Sequence, residues 1–184
     1  MWRTRVGYAG GALQSPTYHR LGDHSESFEA DFDPQRITYR ELLDTFWLSH
    51  DATHSTHSPQ YASVILAHDD AQLRAALESR DRFEDRIGRS VTTRIEPLKR
   101  FWLAEDYHQK YRLRSDRTLA AEFRAMYPAD ADLRESPAAA RVNGYLDGGG
   151  SRGQLDREIS LFGLSVGGRD HLAEAVVSRR GMHL

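Results

Sequence analysis

A chain of 184 residues is long enough for one domain with a core, or for one domain plus an appendage. Its net charge of -2 and pI near 6.5 lack the basic excess of a duplex-binding protein, and no apolar stretch approaches the ~20 residues that span a bilayer, so neither a nucleic-acid nor a membrane partner is expected. The absence of cysteine excludes disulfides, thiolate metal sites and any thiol catalysis by these residues themselves. No apolar segment follows Arg3 and Arg5 to make a signal peptide, so a cytoplasmic location is expected.

Residues 2–8 alternate as a strand that Gly10-Gly11 ends, and residues 12–25 read as a loop of Gly, Pro, Ser, Asp and His. Phe28, Ala30 and Phe32 alternate with Glu29, Asp31 and Asp33, which predicts a half-buried strand with the apolar residues inward. Thr38 and Glu41 form a capping box, and Leu42, Leu43, Phe46 and Trp47 continue as an amphipathic helix to about Ser49. Residues 50–60 are polar and loop-like. A buried strand is expected over 62–67, a helix capped by Asp69-Asp70 and stopped by Gly88, and a further strand over 91–95 closed by Pro97. This order predicts an α+β fold, a two-layer mixed sheet with helices packed on it. After about Arg114 the pattern becomes helical, over 117–127, 136–146, 154–163 and 168–179, with a flexible break at Gly148-Gly149-Gly150-Ser151. The expected division is therefore 1–114 and a helical extension, 115–184, of no legible chemistry.

The chain also carries an ordered set of short motifs. They are Gly-Tyr-Ala-Gly-Gly at 7–11, Pro-Thr-Tyr at 16–18, His-Ser-Glu at 24–26, Asp-Pro at 33–34, Tyr-Arg-Glu-Leu-Leu at 39–43, Phe-Trp at 46–47, His-Asp at 50–51, Gln-Tyr at 60–61 and Ala-Glu-Asp-Tyr-His-Gln-Lys-Tyr at 104–111. In this order and at this spacing they resemble the A-type methionine sulfoxide reductases, the peptide-methionine (S)-S-oxide reductases, over residues 2–111. The resemblance implies a ferredoxin-like reductase fold and an oxidoreductase that repairs methionine sulfoxide under oxidative stress. It implies a thiol donor such as thioredoxin, no cofactor and no metal.

In that family a cysteine thiolate attacks the sulfoxide sulfur, and the oxygen must be protonated as it leaves, so a general acid must lie within hydrogen-bond reach. The resemblance assigns the acid to Glu26, whose neutral form calls for a desolvated, apolar pocket. It assigns Tyr18 and Tyr61 as the phenols that hydrogen-bond the oxygen, donors that need no tuning. It places His108 and Tyr111 at the substrate pocket. Phe46-Trp47 lies inside the capped helix and is not the family's substrate cage. Each position also has a plain structural reading: a solvated acid at 26, a turn tyrosine at 18, a core tyrosine at 61.

Two departures stand out. The loop Leu21-Gly22-Asp23-His24 is shorter than the family's, and Thr56-His57-Ser58-Pro59 stands where the family has Gln-Gly-x-Asp, whose aspartate supports the site. The family's Gly-Cys-Phe-Trp segment, with its strand and helix, lies upstream of the Gly-Tyr-x-Gly-Gly motif and has no match here. The expectation is an incomplete chain, either with a start assigned too late or with a UGA codon for selenocysteine at the nucleophile. Two other readings remain open. One is a non-catalytic binder of oxidised methionine. The other is a His-rich metal-binding domain built on His50, Asp51, His54 and His57, whose i, i+4 and i+7 imidazoles would line one helix face; a polar loop at a helix end is the plainer account of those residues.

Overall fold

The computed structural model describes residues 2–56 and 58–180. Five strands and eight α-helices are arranged as an α+β fold among these residues. Strands β1 (Arg3–Ala9), β2 (Ser25–Asp31) and β5 (Phe101–Leu103) form a sheet of order β2-β1-β5, in which β1 and β5 run antiparallel with Tyr8 opposite Trp102. Strands β3 (Val64–Ala67) and β4 (Arg94–Pro97) make a separate parallel pair, with Ile65 opposite Ile95. The parallel connection needs a crossover, and helix α2 (Asp70–Ile87) supplies it.

The chain divides into two compact units. One comprises residues 6–28 and 32–104. Its core packs helix α1 (Tyr39–Leu48) and α2 around Leu43, Trp47, Ile65 and Ala76. Trp47 is 1% exposed, stacks on Phe83 at 5.3 Å, and its indole N–H donates to Ser79 Oγ at 2.9 Å, so the buried polar atom is satisfied. Both helices start as their sequences require. Thr38 Oγ1 accepts from the Glu41 N–H while Glu41 Oε2 accepts from the Thr38 N–H, and Asp69 caps α2 through the Gln72 N–H. Gly88 ends α2 at φ 65°, a conformation that favours glycine.

The other unit comprises residues 1–5, 29–31 and 105–184. Helices α3 (Tyr111–Ser115), α4 (Arg117–Met126), α5 (Asp130–Glu135), α6 (Pro137–Leu146), α7 (Arg152–Glu158) and α8 (Val166–Arg180) enclose a core that includes the fully buried Leu113, Leu119, Phe123, Val142, Leu155 and Leu172. Asp116, Ser136 and Ser151 cap α4, α6 and α7 with their side chains. An ion-pair cluster ties the first strand to α5. Arg5 reaches Glu135 at 2.8 Å and Glu29 at 2.9 Å, and Arg3 reaches Asp31 at 2.7 Å. Within this cluster the Arg5 guanidinium holds the Glu135 carboxyl down to about 2.

Three local expectations are corrected. The strand predicted over 91–95 begins only at Arg94, because the Val91 N–H donates to Glu84 Oε1 (2.7 Å) and the Thr92 N–H to Ala52 O (2.8 Å), which takes 91–92 out of strand pairing. The expected inward set of β2 fails at Phe28. Phe28 is 61% exposed while Glu29 is half-buried, because Arg5 draws the Glu29 carboxylate in. Strand β5 and the short helices α3 and α5 carry too few residues to announce themselves; tertiary packing stabilises pieces of this length.

Candidate functional site

The site is built on the loop between β1 and β2. Gly10 takes φ 82°, and at Gly11 an added Cβ would lie 2.6 Å from Asp23 Oδ1, so the turn requires glycine at both positions. Asp23 accepts the Ala12 N–H at 2.8 Å and the Leu13 N–H at 3.2 Å, and these backbone donors lower its carboxyl below the usual range. His24, 1% exposed, accepts the Gly11 N–H on Nδ1 at 3.2 Å and donates from Nε2 to Leu13 O at 2.7 Å. The loop is thus stapled at both ends, and the short Leu21–His24 segment acts as its clasp. Glu26 follows two residues after His24, near the start of β2.

Ser25 and Glu26 are tied to the second chain segment of the site. Ser25 Oγ, fully buried, donates to Pro59 O at 2.7 Å, and the Gln60 amide donates to Glu26 Oε1 at 2.7 Å. Pro59–Tyr61 is a 3-10 turn, so Gln60 on the acid places Tyr61 in the adjoining residue, exposed over 63% of its surface. Tyr18 occupies the tip of a tight turn closed by paired backbone hydrogen bonds between Thr17 and Arg20. It is 40% exposed, with its ring edge-on to His19 at 5.4 Å. Glu26 is itself exposed, and its side-chain partner is a neutral amide rather than an apolar wall. The Gln60 contact joins positions 34 apart and has no signal in the sequence beyond the Gln-Tyr pair itself.

A cavity of about 390 Å³ adjoins this wall, lined by Asp23, Ser58, Pro59 and Arg94 among others.

His108 and Tyr111 lie in the helical unit. His108 is half-buried and Tyr111, the first residue of α3, is 60% exposed. Lys110 between them is 4% exposed at φ 54°. Its ammonium donates to Thr4 O at 2.5 Å and Arg134 O at 2.9 Å, anchoring the 108–111 backbone to β1 and α5. Burial pushes its pKa down to about 8, with Glu135 opposing and Arg5, Arg134 and Arg114 adding to the drop.

The metal reading loses its helical face. Helix α1 ends at Leu48, and His50 Nδ1 donates to Phe46 O at 3.0 Å, closing the helix end rather than pointing along a ligand row. His54 follows in a turn, and His57 lies outside the described residues. Among the described residues no three His, Cys, Asp or Glu side chains stand together as a metal site, and no helix is long and apolar enough to cross a membrane.

Comparison with known proteins gives a consistent answer. The family model described as peptide methionine sulfoxide reductase matches residues 1–136. The chain is 40% identical over 184 residues to a peptide methionine sulfoxide reductase of Drosophila melanogaster, covering 99% of this chain and 74% of that protein. It is 39% identical over 149 residues to peptide methionine sulfoxide reductase A5 of Arabidopsis thaliana, covering 78% of this chain and 58% of that one. The crystal structure of Mxr1 from Saccharomyces cerevisiae in reduced form superposes with a TM-score of 0.56 at 34% identity, over 59% of this chain and 68% of that chain.

Proposed function

The chain belongs to the peptide methionine sulfoxide reductase family, and on that premise we propose that its β1–β2 loop and 3-10 turn form the acid-and-phenol side of a pocket for methionine (S)-sulfoxide in oxidised proteins. The observation that carries this reading is the 2.7 Å hydrogen bond from Gln60 to Glu26, which sets the acid beside the residue preceding Tyr61. Gln60 occupies Oε1 and leaves Oε2 as the oxygen that carries the proton. Glu26 gives that proton to the sulfoxide oxygen as the S–O bond breaks, and the Tyr18 and Tyr61 phenols donate hydrogen bonds to the same oxygen. Closure of substrate over the exposed Glu26 desolvates it and favours the neutral acid. For His108 and Tyr111 the family resemblance alone supports a substrate-pocket role; within the helical unit their backbone is held by Lys110. On this reading residues 1–114 carry the reductase-like part and residues 115–184 are a helical extension.

The thiolate that attacks sulfur is not among these 184 residues, which contain no cysteine. In the family it comes from a Gly-Cys-Phe-Trp segment, and a donor of the thioredoxin kind returns the oxidised product to the thiol. Turnover of a methionine sulfoxide peptide with dithiothreitol tests the division of labour. Protein bearing such a segment turns over and the 184 residues alone do not; turnover by the latter would overturn it.

A further inference from the structure

The cavity beside the acid has its own chemistry. It holds about 390 Å³, and at ~30 Å³ per water that is space for roughly a dozen waters, enough for a long side chain. Its charged lining groups are Asp23 and Arg94, with His54 at the rim of the 54–63 loop. Asp23 is exposed and uses part of its acceptor capacity within its own loop, where it receives the Ala12 N–H on both oxygens and the Leu13 N–H on Oδ1. Arg94 is in the opposite condition. Glu96 takes only Nη1, at 3.1 Å, and a five-donor fork retains Nε and Nη2, the latter directed toward Gly10. Ser55, Ser58 and Ser63 add hydroxyls to the same lining. The unused donors of the Arg94 fork are what the cavity offers a ligand, and they match the two oxygens of a carboxylate.

The position of the cavity says whose carboxylate. Ser58 and Pro59 line it, Pro59 O accepts from Ser25, and the next residue, Gln60, holds Glu26. A polypeptide placing a sulfoxide oxygen on Glu26 brings the residues beside its methionine to this opening. We propose that the cavity is a subsite for an aspartate or glutamate side chain flanking the oxidised methionine, with Arg94 as its anchor. This rests on Glu26 marking the sulfoxide position.

The test is titration of the 184-residue protein with fluorescent methionine sulfoxide peptides that carry Glu, Gln or Lys one or two residues to either side, and with their unoxidised counterparts. The expected result is about tenfold tighter binding of one Glu peptide than of its Gln counterpart. That preference is lost in Arg94→Gln, and Glu96→Gln increases it by freeing the competing nitrogen. A gain of affinity in Glu96→Gln cannot come from loss of fold. Oxidised peptides that bind above unoxidised ones with no acidic preference, or a preference untouched by both substitutions, overturn the subsite alone. Equal or absent binding of oxidised and unoxidised peptides overturns the sulfoxide reading and the subsite with it.

Discussion

Lys110 shows how one residue can couple a site segment to the framework. A buried ammonium is costly, and this one is offset by two carbonyl acceptors on different elements. Replacing it in Lys110→Met takes a donor from Thr4 O and from Arg134 O and should cost about 1–3 kcal/mol in urea denaturation at pH 7. Its titration gives a second, signed outcome. The native amine releases its proton near 8, while the unfolded one holds it to 10.5. Between those values the unfolded state binds more protons, so stability rises with pH through this window, and Lys110→Met should flatten that rise. Above pH 10 the half-buried Tyr39, whose pKa desolvation raises, and Tyr145, which burial and Glu158 push up to about 12, act in the opposite sense. At the acid end Glu135 loses its Arg5-held charge. Its contribution is complete above pH 4.5 and fades as pH falls toward 2, so Glu135→Gln should show a shallower acid-side loss of stability than the wild type.

At the scale of elements, the sequence was most legible where local chemistry decides the outcome. The Thr38–Glu41 box, the Asp69 cap and the Gly88 stop each depend on residues within one turn, and all three stand where the pattern put them. Thr38→Ala should lower stability by about 1 kcal/mol, read as a shifted denaturation midpoint at unchanged slope. Strand boundaries were less legible because their partners are distant. The delay of β4 to Arg94 is decided by Glu84 and Ala52, and the outward turn of Phe28 by Arg5. The same limit applied at the site. Glu26, Tyr18 and Tyr61 could be named from their motifs, but the hydrogen bond from Gln60 to Glu26 crosses 34 positions and carries no local signature.

At the scale of the molecule, the two compact units are not consecutive blocks of the chain. Residues 1–5 and 29–31 belong to the helical unit, which the Arg5–Glu135 pair and the Lys110 bonds join to the strand ends. The family match likewise runs on through α4 and α5 to residue 136. The helical unit has a closed core of its own, so Leu172→Ala, at a fully buried position, should cost about 2–5 kcal/mol in the unfolding of that unit. The account as a whole depends on Glu26 being the proton donor to the sulfoxide oxygen. Its most direct test is the rate at which protein bearing a Gly-Cys-Phe-Trp segment reduces a methionine (S)-sulfoxide peptide, compared between wild type and Glu26→Gln. The account predicts a loss of about 10²–10⁴-fold in kcat, and an unchanged rate would contradict it.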